Sequence, residues 1–84
     1  MGLIVGNYYD KIKCESFLDS KTNRIRIRPL ADQGFPTNLV VESLKKIREA
    51  HPVGTKFTTD NILVSKKPNG RIHLRAKDQM IYKL

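Results

Sequence analysis

The chain has 84 residues, 39% of them hydrophobic, with 16 Lys and Arg against 8 Asp and Glu and a net charge of +8. That length predicts one domain, 1–84, with a small core, and the patterned spread of apolar residues argues against disorder. The charge favours polyanionic partners; a single cysteine, Cys14, excludes an internal disulfide and a cysteine-based zinc site and fits a reducing cytoplasm, and no stretch approaches transmembrane length.

Leu3-Ile4-Val5 is a candidate first strand between glycines, too short and lacking the positive end of a secretory signal. Gly6 stands where a myristoylation signal carries Ser or Thr. From Tyr8 to Leu18 the chain reads as extended, with Ile12, Cys14, Ser16 and Leu18 on one face and Lys11, Lys13, Glu15 and Phe17 on the other. Asp19 to Asn23 is rich in turn formers. Arg24-Ile25-Arg26-Ile27-Arg28 then alternates strictly and ends at Pro29, which predicts a hairpin with a loop of about five residues.

Ala31 to Pro36 reads as a loop, after which Thr37 or Asn38 is placed to cap a helix. Leu39, Val40, Leu44 and Ile47 fall near helical spacing, with Glu42, Lys45, Lys46, Arg48 and Glu49 opposite, and the helix is expected to stop at His51, before Pro52 and Gly54. Because Leu39-Val40-Val41 favours strand, a later start near Ser43 is the alternative. Thr55 to Lys66 is extended and β-branched, Pro68-Asn69-Gly70 is a turn, Arg71 to Lys77 returns antiparallel, and Met80-Ile81-Tyr82 is a short last strand. The expected fold is α+β: a small antiparallel sheet of four to five strands with one helix packed on it, in the order β-β-α-β-β. A small, strongly curved β-barrel with one helix is the alternative.

The two alternating runs carry the functional signal. If both strands share a sheet, Ile25, Ile27, Ile72, Leu74 and Ala76 bury on one side. Arg24, Arg26, Arg28, Arg71, His73, Arg75 and Lys77 then gather on the other, with Lys66 and Lys67 at a hairpin tip. The acids at hand to neutralise that face, Asp19, Asp32, Asp60 and Asp78, fall in turns or at element ends. Guanidinium forks suit phosphate, so these nine residues form the candidate nucleic-acid-binding set, for DNA or RNA, through backbone contacts of low sequence selectivity. Phe17 shares its face with Lys11 and Lys13 and is a candidate for base stacking; Phe35 and Phe57 are assigned to the core.

Two other readings compete. His73 with Arg71 and Arg75 has the residue types of a metal-independent, toxin-like ribonuclease, with Glu15 or Glu42 as a second proton-transfer group if brought close. No catalytic motif accompanies them, so a non-enzyme is favoured. Alternatively, the positive face meets an acidic protein, or an open sheet edge pairs with a second copy. No cofactor or metal is expected: His51 is read as a helix-end residue and His73 as a surface one, both far from Cys14 in sequence.

Overall fold

The computed structural model describes residues 4–84. Its strands are β1 (Tyr8–Tyr9), β2 (Lys13–Asp19), β3 (Arg24–Pro29), β4 (Val41–Glu42), β5 (Lys56–Thr58), β6 (Ile62–Lys66), β7 (Ile72–Ala76) and β8 (Tyr82–Lys83). One helix, α1 (Lys45–Arg48), lies between β4 and β5, and a 3-10 turn spans Lys77–Gln79. The strands form two four-stranded sheets, the first in the order β1-β6-β7-β4 and the second β3-β2-β5-β8. The mixed α+β class therefore holds in its coarse form, while the single sheet with a helix on it does not.

The two sheets share one core. Ile62, Val64, Leu74, Ala76 and Val41 enter it from the first sheet, and Cys14, Ile27 and Phe57 from the second. These are the alternate residues of their strands, so the period-2 pattern selects the buried face as expected. Ile25, Ile27 and Pro29 turn inward from β3, and Leu74 and Ala76 from β7. Leu18 and Ile72, at strand ends, stay exposed at 53% and 36%.

Chain segments pass between the sheets at one corner. Thr59 N donates to Ile12 O at 3.1 Å, and Ile12 N donates to Thr59 Oγ1 at 3.3 Å. The run 55–66, expected as one strand, breaks there into β5 in one sheet and β6 in the other. Thr59 is fully buried, and this pair of bonds satisfies backbone groups that a sharp turn would otherwise orphan. No ladder closes the wall among the described residues, and β1, β4, β3 and β8 remain sheet edges.

The helix is the largest departure from the expectation. The long segment after a Thr37 or Asn38 cap is absent and the alternative, a start near Ser43 after a β-favouring run, is closer: only Lys45–Arg48 is helical, and it buries no residue. Val41 instead pairs with Leu74 in a parallel ladder and is 2% exposed. A β-branched run beside an open sheet edge gains both a ladder and core contact, and a one-turn helix has no propagation to offset its costly nucleus. No side chain caps its N-terminus, so neither Thr37 nor Asn38 serves there. Arg48 holds the turn in place, donating from Nε to Ile25 O at 2.8 Å and from Nη1 to Ser43 O at 2.6 Å. His51 lies beyond the helix end and packs edge-on against Phe57, with ring centroids 5.6 Å apart.

The two predicted turns are present. Asp19 Oδ1 accepts from Lys21 N and Asn23 takes φ 56°, closing the β2–β3 hairpin. Gly70 takes φ 85° and Lys67 N donates to Arg71 O at 2.9 Å, closing β6–β7. The expected first strand is partly outside the described residues at Leu3; Ile4 and Val5 are exposed and not in a strand. Tyr82–Lys83 forms the last strand against β5.

Candidate nucleic-acid interface

Contacts across the strands decide which cations are free. On β2, the residues opposite Arg24, Arg26 and Arg28 are Asp19, Phe17 and Glu15. Arg28 Nε donates to Glu15 Oε2 at 2.9 Å, and Lys56 Nζ lies 3.8 Å from Glu15 Oε1. Arg26 Nε sits 3.1 Å from Asp19 Oδ2, an ion contact whose angle leaves that buried nitrogen without an aligned hydrogen-bond acceptor. The guanidinium of Arg28 also lies over the Phe17 ring, 4.7 Å from its centroid. Asp19 is held below the ordinary carboxylate range chiefly by the Lys21 amide, with Thr22 and Arg26 acting in the same direction, so it is a fixed negative charge.

These pairs correct the expectation that acids lie away from the cationic strands. Glu15 sits in the middle of β2, brought beside Arg28 by cross-strand pairing, and Glu42 on β4 lies beside His73. Alternation within one strand says nothing about what the neighbouring strand places opposite.

The β6–β7 hairpin differs. On β6, Ser65 and Leu63 stand opposite His73 and Arg75; on the other side β4 places Glu42 opposite Arg75, and that carboxylate reaches His73 instead. Among the described residues no carboxylate pairs with Lys66, Lys67, Arg71, Arg75 or Lys77. His73 is the exception on this strand: Nε2 lies 3.0 Å from Glu42 Oε2, its side chain is 12% exposed, and Nδ1 is buried without a partner.

Five of the nine candidate residues converge. Arg26 and Arg28 from β3, and Lys67, Arg71 and His73 from the second hairpin, line one groove of about 430 Å³. Lys21 from the β2–β3 turn joins them, and Asp19 is the only carboxylate in the lining. Phe17, Val40 and Ile72 supply apolar surface, and Thr37, Asn38 and Asn69 supply neutral polar groups. The other four do not join. Arg24 faces a separate hollow with Leu18, Lys45 and Arg48; Arg75 and Lys77 line a third with Tyr8 and Asp78; Lys66 lines none of these. The single positive face is thus divided, with its densest part in the groove. Lys21, Asn38 and Asn69 were not among the candidates, because a turn residue gives no sign in sequence of which surface it overhangs.

Cys14 is fully buried, its Sγ 3.6 Å from Phe57 O, and burial pushes its thiol up to about 12. It therefore has core character and no nucleophile's environment. Among the described residues, no three of His, Cys, Asp and Glu cluster as a metal centre needs, and no helix is long and apolar enough to cross a membrane. No family model, curated protein or solved structure matches the chain, so its role has to be inferred from geometry and charge.

Proposed function

We propose that this protein is a nucleic-acid-binding domain whose main contact surface is the groove between the two basic hairpins. One observation carries the reading: Lys21, Arg26, Arg28, Lys67 and Arg71 converge where Asp19 is the single acid. Phosphates entering the groove would meet guanidinium forks and ammonium groups that arrive from two separate hairpins. Lys21, Lys67 and Arg71 carry no ion pair among the described residues, so they would release condensed counterions on binding without first breaking a protein contact.

The test is a titration with labelled oligonucleotides at several salt concentrations. Three to five phosphate contacts predict a log–log salt slope between about −2 and about −4.5. Replacing Arg71 with Glu is expected to weaken binding at least about tenfold without unfolding the domain. Absence of measurable affinity at low salt, together with co-purification of an acidic protein, would replace this reading with a protein-partner one.

A second reading rests on His73 and Glu42, 3.0 Å apart at the groove margin. A carboxylate that orients an imidazole beside a cationic surface is one requirement of metal-independent RNA cleavage. It ranks lower because Nε2 is taken by Glu42 and Nδ1 is buried, which leaves no ring nitrogen facing a substrate. Cleavage of RNA by the purified protein, abolished in His73→Ala with binding retained, would reverse that ranking.

A further inference from the structure

We infer that the groove takes single-stranded nucleic acid, with one unstacked base lying on the Arg28 guanidinium; this deepens the proposed function and rests on it. Arg28 is held on two sides. Its Nε is hydrogen-bonded to Glu15 at 2.9 Å, and its guanidinium lies 4.7 Å from the Phe17 ring centroid. Cross-strand pairing enforces both contacts, since Glu15 is directly opposite Arg28 on β2 and Phe17 is two residues further along, on the same face. The guanidinium plane is therefore oriented before any ligand arrives, and the Arg28 side chain remains 42% accessible in the groove lining.

A flat cation backed by an aromatic ring is a platform for a nucleobase, because bases stack on Arg planes as they do on aromatic rings. Base stacking is tolerant of sequence, which agrees with a groove whose remaining contacts are to phosphate. Size points the same way. A hollow of about 430 Å³ is of the order of a small-ligand site. It accommodates a splayed nucleotide, whereas a duplex keeps its bases stacked inside and offers this platform no free face. Asn38 and Asn69, at the rim, bring amides within the same lining.

The experiment compares three ligands of equal length at one ionic strength: an oligothymidylate, an abasic deoxyribose-phosphate strand and a DNA duplex. The oligothymidylate is expected to bind tightest. Phe17→Leu and Arg28→Lys are each expected to weaken oligothymidylate binding roughly 5- to 100-fold. Neither should change affinity for the abasic strand by a comparable factor, because Lys keeps the charge and Leu the apolar bulk. Phe17 lies on the outer face, outside the core, and a thermal melt of each variant checks that the fold survives. Equal affinity for all three ligands, or variants that lower all three alike, would overturn the stacking inference while leaving the groove as a phosphate-binding surface. Failure of all three to bind at low salt would remove both.

Discussion

The β2–β3 and β6–β7 hairpins are built from the same alternation of cation and apolar residue, yet they end in different electrostatic states. In the first, Glu15 and Asp19 answer Arg28 and Arg26 across the ladder. In the second, β6 places Leu63 and Ser65 opposite Arg75 and His73, Glu42 of β4 contacts His73, and Lys66, Lys67 and Arg71 at the tip stay unpaired among the described residues. The first hairpin holds two of its arginines against carboxylates, and the second leaves its arginines and lysines without one among the described residues. In the proposed function a groove between them uses both: lysines and arginines without ion pairs to attract a polyanion, and the Glu15-bound guanidinium of Arg28 to position it.

The strongest way to break this comparison is through the shared core. Ile27 on β3 and Leu74 on β7 are both fully buried, and Ala at either is expected to cost about 2–5 kcal/mol, a large part of the about 5–15 kcal/mol typical of a domain. Cys14 provides the readout. Its buried thiol should resist thiol reagents until the second sheet opens, so Leu74→Ala, made in the first sheet, should accelerate labelling of Cys14. Unchanged labelling would mean that the two sheets open independently.

Charge reversal comes next. Arg71→Glu should lower nucleic-acid affinity at least about tenfold while changing stability by no more than about 0.5 kcal/mol, as expected for a surface residue without a partner. Glu15→Gln should act in the opposite sense on binding, because it leaves Arg28 and Lys56 unneutralised. Affinity should rise a few-fold, with a stability loss of less than about 1 kcal/mol for a partly exposed ion pair. If Glu15→Gln weakens binding instead, the fixed orientation of Arg28 matters more than the added charge. Urea unfolding and oligonucleotide titration on the same samples decide between these outcomes.

The smallest expected effect is with pH. Asp19 is held below its ordinary value of 3.8 in the folded state, mainly by the Lys21 amide. A depressed carboxyl stabilises the fold above its unfolded value, and that contribution disappears as pH falls through the lowered folded value. The melting temperature should therefore decline as pH drops below about 4, and Asp19→Asn should flatten that decline. An unchanged acid profile in the variant would show that the Asp19 contact does not close the first hairpin.

Several elements were legible from residues alone. Ile25, Ile27, Leu74 and Ala76 turn inward because a strand alternates its faces, and Asn23 and Gly70 mark turns because they accept positive φ. The segment from Leu39 to Glu42 was not legible as β4. Its helical spacing and its β-branched content point in opposite directions, and the exposed edge of β7, contributed more than thirty positions later, resolves them. Thr59 likewise reads as a strand residue until Ile12 takes both of its hydrogen bonds. The candidate site divides along the same line: Arg26, Arg28, Lys67, Arg71 and His73 were identifiable as cations on strands or tips, whereas Lys21 joins them only through the fold of a turn.

Local pattern thus determined which face of each strand is apolar and which is cationic, because alternation follows from backbone geometry within a few residues. Only the tertiary arrangement decided which of those cations are neutralised and which converge. Neutralisation depends on which acids a neighbouring strand places opposite or diagonal to a cation, and convergence on how β3 and the β6–β7 hairpin come to flank one groove. Both are set by contacts between residues distant in the chain, where no periodicity within a single segment carries information.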